Sequence, residues 1–320
     1  MNGFATEYNF RAFQLQDVPR INELYYAEYG INYPYPLSAE FASRRNIVGS
    51  VALYRDEVIG YARACPYAGN PLIYEFGGLI VKIGHRQRTI ARQLTVLRLK
   101  AVVQVGATMV FSEPVCYRTD RASQYNLIDR GFWYSGILPF KYPEIMLQFL
   151  GEQPESVCLA VNFLTPSVEL GKRPIHVPPD YWPYIHAILP SYVQRNGHEL
   201  MHGCIPDLIW HPAMVSKNQT GSRFVDIPVN WPESEACIEE LRNQGFMFAS
   251  LLPSFGLTLN GQVFDYVSLY RPSRRDFDFD LVHVVEGLSE IKHKIADEYA
   301  LGQENCSQSD SQHRAYSEAV

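Results

Sequence analysis

The segment from Leu79 to Arg92 has residue types and a spacing suited to holding an anion. An apolar strand pattern ends at Val81, a polar turn follows, and a helical pattern begins at Thr89. A strand that leads directly into a helix directs unpaired backbone N–H groups and the positive end of the helix dipole at one point. Three arginines lie in and just after the turn, at positions 86, 88 and 92. The pattern therefore predicts a site for a pyrophosphate.

The same segment resembles the acyl-CoA loop of the GNAT acetyltransferases. The family motif, Arg/Gln-x-x-Gly-x-Gly/Ala after the fourth strand, reads here Arg86-Gln87-Arg88-Thr89-Ile90-Ala91. Shorter pieces at 29–33, 113–115, 123–124 and 131–132 are similar to a bacterial subgroup with tandem acetyltransferase-like halves, and the resemblance covers Asn9 to about Arg271. It implies acetyl-CoA or another acyl-CoA as co-substrate and no metal. The cofactor-binding residues it implies are Ile80, Val81, Arg86, Gln87, Arg88, Thr89, Ile90, Ala91, Arg92 and Ser123.

The resemblance also implies direct acyl transfer to an amine, on a small molecule or a peptide. A backbone N–H near Ile80 or Val81 would polarise the thioester carbonyl. A base must take the ammonium proton, and the candidates are Glu75, at the start of the strand that contains Ile80, and Glu113, at the end of the next strand. The two strands splay apart in this fold, which would bring both carboxylates toward the cleft. Each carboxylate also has a simpler interpretation, as an exposed strand-end group or as a turn cap. Several tyrosines could line an acceptor pocket or belong to the core: Tyr25, Tyr26, Tyr29, Tyr33 and Tyr35.

Three positions depart from the family pattern. Gln87 and Thr89 stand where glycine usually lets the backbone approach the phosphates. The tyrosine that many members use as a general acid falls at Leu127, and Tyr125 should point to another face. These departures leave open a second hypothesis, a non-catalytic acyl-CoA sensor or interaction protein.

A third hypothesis rests on His198-Glu199-Leu200-Met201-His202, which matches the H-E-x-x-H pattern of zinc hydrolases. That chemistry needs both histidines on one helix face and a third ligand. Gly197 and Gly203 flank the motif and leave about one turn of helix. A surface turn is the alternative.

The surrounding periodicity predicts a mixed α/β fold with a largely antiparallel sheet. A hairpin is predicted over 48–54 and 58–65, and a strand over 73–83 leads to the turn. The helix beginning at Thr89 should place Arg98 mostly outside. The remaining predicted elements are a strand at 108–112, a helix at 118–129 and strands at 132–138, 145–150 and 157–162.

An ungapped internal similarity links two segments. Each segment contains a Pro-Val pair, then a helical pattern, then a strand pattern that begins with Gly-Phe and ends with Pro. The strand patterns are 131–139 and 245–253, and they correspond at constant offset. We interpret it as a duplication. The second copy has no room for a counterpart of the segment 83–100. The predicted domains are a GNAT-like acyl-CoA-binding domain at 1–165, an incomplete GNAT-like half-domain at 166–300 and a disordered tail at 301–320.

Composition narrows the classes of partner. The chain has 320 residues, 47% of them hydrophobic, and a formal net charge of -6 without a Lys/Arg block, which disfavours a nucleic-acid partner. No apolar run approaches the ~20 residues of a membrane helix, and no secretory leader pattern is evident. Six scattered cysteines are typical of reduced thiols, so we expect a cytoplasmic protein.

Overall fold

The computed structural model describes residues 8–44, 46–147, 153–165, 173–188, 215–217, 223–257, 263–271 and 278–300. The strands in these ranges are β1 (Tyr8–Ala12), β2 (Val48–Tyr54), β3 (Glu57–Tyr67), β4 (Asn70–Val81), β5 (Met109–Ser112), β6 (Trp133–Leu147), β7 (Gln153–Phe163), β8 (Val215–Lys217), β9 (Arg223–Pro228), β10 (Met247–Leu257) and β11 (Val263–Arg271). The helices are α1 (Val18–Tyr29), α2 (Ala39–Ala42), α3 (Ile90–Gln104), α4 (Ala122–Ile128), α5 (182–188), α6 (Glu233–Asn243) and α7 (289–300).

All of these strands form one sheet in the order β1-β2-β3-β4-β5-β7-β6-β10-β11-β9-β8. The β4–β5 pair is parallel, and the other pairs in the described ranges are antiparallel. The parallel pair arises because α3 carries the chain from the end of β4 back to the start of β5. The predicted mixed α/β fold is confirmed.

Two helices cover opposite faces of the β2–β4 region. Ile21 of α1 packs in one buried cluster with Tyr61 and Ile80, whereas Leu94 of α3 packs in another with Ile59. The alternation of side chains along β3 and β4 separates the two clusters. This part of the sheet is therefore buried on both faces, and the end of β4 is fixed between α1 and α3.

The second half of the chain joins the sheet through β10. Gly136 of β6 pairs with Ser250 of β10, and a Cβ built on Gly136 would lie 2.3 Å from the Ser250 Cβ and 2.4 Å from the Ala249 carbonyl oxygen. Only glycine permits this approach of the two backbones. The second half thus extends the sheet of the first half, and one large apolar core includes residues of both.

The two similar sequence segments have matching local geometry. Gly131 and Gly245 both have a φ of 84° at the helix-to-strand turn. Phe140 and Ser254, which also correspond in the sequence, have φ angles of 52° and 62°. The backbone hydrogen bonds at the two turns match as well: Phe132 N–H to Leu127 O at 3.2 Å and Phe246 N–H to Leu241 O at 3.0 Å.

Two local predictions were wrong. Arg98 was expected to face outward, but only 2% of it is exposed, because its guanidinium donates to the carbonyl oxygens of Arg63 in β3 and Gly77 in β4 where the register of these strands shifts. The two strands predicted at 132–138 and 145–150 are not separate in the described residues, because β6 runs without a break to Leu147 and its pairing with β7 shifts register between Leu138 and Tyr142; positions 148–150 lie outside the described residues. Local periodicity does not reveal either feature, since both depend on the neighbouring strand.

No helix in the described ranges is long and apolar enough to cross a membrane. Across those same ranges, no group of three or more His, Cys, Asp and Glu side chains is arranged to hold a metal. The motif His198-Glu199-Leu200-Met201-His202 and the predicted tail at 301–320 lie outside the described residues.

Candidate functional site

The site is organised by the point at which β4 and β5 separate. The two strands pair from Ile73 with Met109 to Phe76 with Ser112, and no further pairing between them follows. Beyond Phe76, β4 continues through Gly77 and Gly78 to Val81, while β5 ends at Ser112. The separation opens the edge of β4 over its last residues.

The backbone of β4 offers a donor along this edge. Lys82 N–H bonds to Ile59 O of β3 at 2.8 Å. Backbone groups of successive strand residues point to opposite edges, so the N–H and C=O of Val81 face away from β3. The Val81 carbonyl accepts a hydrogen bond from Arg86 Nε at 2.9 Å. Of the two predicted donors, Val81 rather than Ile80 therefore has its N–H directed at the opening.

The turn after β4 has the geometry of an anion site. Gln87 and Thr89 have φ angles of 61° and 62°, the left-handed conformation that glycine adopts without strain. The first helical hydrogen bond runs from Gln93 N–H to Thr89 O, at 3.0 Å. Among the described residues, the N–H groups of 87–92 donate to no backbone carbonyl. A run of free N–H groups at the start of a 15-residue helix suits a phosphate.

The predicted arginines have different environments. Arg86 Nη2 bonds to Glu28 Oε2 of α1 at 2.5 Å, so its guanidinium links α1 to the end of β4. Arg88 Nη1 bonds to the Tyr8 hydroxyl at 3.0 Å, and Arg92 is exposed. Arg86 thus stiffens the turn, whereas Arg88 and Arg92 lie on its accessible side.

The other predicted cofactor residues lie along the helices that flank the opening. Ile90 is buried at the start of α3, and Ala91 is half-buried. Ser123 is the second residue of α4, and its Oγ is buried without a hydrogen-bond partner among the described residues. Leu127 is buried in the core, and Tyr125 is 45% exposed beside Arg121. Leu127 carries no proton that it could donate to a leaving group.

Glu75 lies at the inner end of the opening on the α1 side. It pairs in register with Cys65 of β3, whose thiol lies 3.9 Å from Glu75 Oε2. Burial, and next the negative charge of Glu113, raise the pKa of the Glu75 carboxyl above its usual range, while Arg63 opposes that shift. A carboxylate with a raised pKa is a better base for an ammonium.

Glu113 follows β5 on the same face. It accepts a hydrogen bond from the Tyr142 hydroxyl at 2.5 Å, and Lys141 Nζ lies 3.8 Å from its other oxygen. Glu113 is therefore already engaged by two side chains of β6. The charge of Glu113 contributes to the raised pKa of Glu75, so the two candidate bases lie in the same region, and their catalytic roles stay a prediction.

Sequence inspection missed a third acidic residue, Glu155 of β7. Only 3% of Glu155 is exposed, and its Oε1 has no hydrogen-bond partner among the described residues. Burial, followed by the charge of Glu113, raises the pKa of Glu155 to about 8. A glutamate two residues before the apolar run 157–161 was the available signal, because buried strands rarely contain an acid.

Tyrosine rings extend from α1 to β6 over these carboxylates. Tyr33 stacks on Tyr29 at 4.8 Å and on Tyr25 at 5.3 Å between ring centroids. Tyr35 contacts both Tyr33 and Tyr142 at 6.0 Å. Four of the five tyrosines predicted as a pocket or a core thus form one aromatic row, and Tyr25 joins it to the core.

The second half of the chain contributes to the same region. Phe255 of β10 lies 5.0 Å from Phe111 of β5 and 5.4 Å from Tyr67, measured between ring centroids. Phe111 pairs in register with Glu75. Phe255 therefore covers the sheet next to Glu75, and the site is built from both halves.

Arg98 fixes the bulge behind the opening. Its Nη1 donates to the carbonyl oxygens of Arg63 and Gly77 at 3.2 and 3.3 Å, and its guanidinium lies 4.4 Å from the Phe76 ring centroid. Burial, with the charge of Arg63, lowers the pKa of Arg98 to about 9. This buried cation holds β4 in the shape that separates it from β5.

The arrangement combines an anion-binding turn, a backbone donor at Val81 and buried carboxylates on one face of an open strand pair. Such a site can hold a phosphate-bearing molecule at one end and an amine at the other. The carboxylates can accept a proton, and the donor can polarise a carbonyl.

Comparison with solved structures finds similarity to N-acetyltransferases. The ribosomal-protein-S18-alanine N-acetyltransferase from Escherichia coli aligns with 49% of this chain and 94% of its own, at 12% identity and a TM-score of 0.40. An N-acetyltransferase from Staphylococcus aureus Mu50 aligns with 50% of this chain and 100% of its own, at 16% identity and a TM-score of 0.42. The aminoglycoside 6'-N-acetyltransferase from Enterococcus faecium aligns with 49% and 98%, at 14% identity and a TM-score of 0.39.

No protein-family model matches the sequence, and no curated protein does. Half of this chain lies outside each of the three structural alignments.

Proposed function

We propose that this chain transfers an acyl group, most simply acetyl, from an acyl-CoA to an amine. The observation that supports it best is the separation of β4 from β5 directly before a turn of free N–H groups. The turn would receive the pyrophosphate, and the open edge of β4 would receive the extended part of the molecule. The donor set fits an acyl-CoA, because backbone N–H groups suit the phosphates and Val81 N–H suits the carbonyl.

The residues of this chain would act on the amine and on the carbonyl. An acyl-CoA supplies an activated acyl group as a thioester. Glu75 would take the proton of the ammonium, so that the amine nitrogen can form a bond to the carbonyl carbon. Val81 N–H would stabilise the negative charge on the carbonyl oxygen. The carbon–sulfur bond then breaks, the amide nitrogen loses its second proton to water, and the leaving thiolate takes a proton from water.

A binding experiment tests the cofactor part of the proposal. Acetyl-CoA should raise the midpoint of thermal unfolding. Gln87→Glu places a carboxylate among the phosphate-binding N–H groups and should abolish that increase. Gln93→Glu is the matched control, since Gln93 is exposed on α3 beyond the turn. This variant should retain most of the increase in the unfolding midpoint. No increase for the unaltered chain at millimolar acetyl-CoA would contradict the proposal.

A turnover experiment tests the transfer. CoA release should depend on an added primary amine, and Glu75→Gln should reduce the rate by about 10²–10⁴-fold while acetyl-CoA still raises the unfolding midpoint. Glu240→Gln, a change on the exposed side of α6, is the matched control. Binding without turnover over a broad amine panel would favour the sensor hypothesis instead.

We further propose that the two similar segments record a duplication and that the second copy lost its cofactor site. The matched φ angles and turn hydrogen bonds support a common origin, and no counterpart of the segment 83–100 is present in the sequence of the second half. We place the boundary between the halves at about residue 165. The second copy would then serve the first, by covering the amine side of its site with Phe255.

A further inference from the structure

Among the described residues, every acidic group of the site except Glu155 has a basic side chain that offsets its charge. Glu28 is paired with Arg86, and Glu113 lies beside Lys141. The charge of Arg63 opposes the rise in the pKa of Glu75. Glu155 forms no ion pair with a described basic side chain, and its Oε1 is buried without a partner. A buried carboxyl without a partner is costly to ionise, so Glu155 would ionise readily only when a cation reaches it.

In the part of the chain that the structure describes, the titratable groups coupled electrostatically to Glu155 include no cation. Several side chains are coupled to Glu155 through their pKa values, and they lie on different elements. They are Glu113 after β5, Cys116 and Tyr117 in the next segment, Tyr29 of α1, Tyr33 beyond α1, and Tyr142 of β6. These are acids, phenols and a thiol. Aromatic rings around a single carboxylate form an environment that attracts an ammonium group, through the charge and through the ring faces.

The position of Glu155 relative to Glu75 suits a molecule with two cationic groups. Glu113 follows, by two residues, the Phe111 that pairs with Glu75, a step of about 7 Å along an extended strand. The Tyr142 hydroxyl bonds to Glu113, and Tyr142 pairs in register with Glu155, so Tyr142 connects the region of Glu113 to Glu155. An amine at Glu75 and a second ammonium at Glu155 would therefore be separated by a short aliphatic chain.

We propose that the acceptor is an aliphatic amine with a second cationic group, a diamine or a longer polyamine, and that Glu155 and the Tyr29–Tyr33 stack bind the group that does not react. This inference rests on the proposed transfer of an acyl group to an amine. It specifies the class of acceptor and gives Glu155 a binding role that the sequence did not indicate.

Binding of the second cation should release a proton. The pKa of Glu155 lies at about 8 in the protein alone, so the carboxyl is mostly protonated at pH 7. An ammonium partner favours the ionised form and lowers that pKa. Each bound diamine should therefore release about one proton at pH 7.

The experiment compares 1,4-diaminobutane with butylamine, which has the same chain and one charge fewer. Calorimetry of the full chain in two buffers of different ionisation enthalpy gives the affinity and the protons released. We expect the diamine to bind at least about tenfold more tightly and to release about one proton. Glu155→Gln should remove both effects, and Glu240→Gln should retain them.

Three results would overturn the inference: no diamine binding at millimolar concentration, equal affinity for the two amines, or a preference that survives in Glu155→Gln. Should Glu155→Gln fail to fold, the proton release of the unaltered chain and the variant Tyr33→Leu decide the question. Tyr33→Leu removes one ring face and should reduce the diamine preference several-fold.

The outcome is separable from that of the proposed function. Turnover of butylamine and 1,4-diaminobutane with equal kcat/KM would refute the diamine inference and leave the transferase intact. Diamine binding with proton release, but without acetyl-CoA binding or CoA release, would refute the transferase and leave the cation site.

Discussion

The conformation of Gln87 permits a substitution that should increase stability. Gln87 has a φ of 61° in the turn before α3, its side chain is exposed, and it forms no hydrogen bond in the structure. A residue with a Cβ is strained in this region, and glycine is not. Gln87→Gly should therefore relieve strain without removing a contact.

The expected size follows from two opposing effects. The left-handed conformation costs roughly 1–2 kcal/mol for a residue with a side chain. Glycine makes the unfolded chain more flexible, which costs about 0.5–1 kcal/mol. The balance raises the free energy of unfolding by about 0.5–1 kcal/mol in Gln87→Gly.

Gln93→Gly is the matched control. Gln93 is exposed in the first turn of α3, where its N–H bonds to Thr89 O. The same substitution there exchanges a good helix former for glycine and should lower the free energy of unfolding by about 1 kcal/mol. The two variants should thus differ by about 1.5–2 kcal/mol and in opposite directions.

Urea unfolding followed by circular dichroism measures both variants at constant m-value. A second measurement uses acetyl-CoA, whose stabilising effect should grow in Gln87→Gly because the phosphates can approach the backbone more closely. If Gln87→Gly destabilises the chain as much as Gln93→Gly does, the strain at the turn does not exist and the proposed anion site loses its geometric basis.

Three further predictions concern other parts of the site. Gly136→Ala should lower the free energy of unfolding by about 3 kcal/mol or more, because its Cβ would meet the Ser250 backbone; Gly84→Ala, with nothing within 4 Å, should stay near the unaltered value in urea unfolding. The free energy of unfolding should fall as pH rises from 5 to 8, by up to about 1.4 kcal/mol per pH unit. The cause is Glu155, which keeps its proton in the folded chain up to a pKa of about 8, whereas the unfolded chain releases that proton at lower pH. Glu155→Gln should therefore flatten the pH profile, and an unchanged slope would contradict this cause. Phe255→Leu should raise the KM for the amine several-fold and leave acetyl-CoA binding unaltered, and an equal loss of both would show that β10 does not cover the amine side.

The turn after β4 was predictable because it depends on a few consecutive residues. An apolar strand, a polar turn and a helical period place N–H groups by local rules, and the φ angles at Gln87 and Thr89 occur where the family pattern has glycine. Ser38 is a similar local signal, because serine favours the N-cap position and its Oγ accepts the Phe41 N–H at the start of α2, at 3.0 Å. Asp17 directly precedes α1, but its carboxylate binds Arg11 at 2.7 Å and does not cap that helix.

The sequence by itself determined the mixed α/β fold, the strand–turn–helix segment and the Gly-Phe similarity of the two halves, because each is encoded by residues close together in the chain. Only the tertiary structure decided that Arg98 is buried under the β4 bulge and that Arg86 links α1 to Val81. It also placed Glu155 of β7 and Phe255 of β10 near Glu113 and Glu75. These placements depend on which strands become neighbours and where they separate, and such long-range pairing leaves no periodic signal in any one segment.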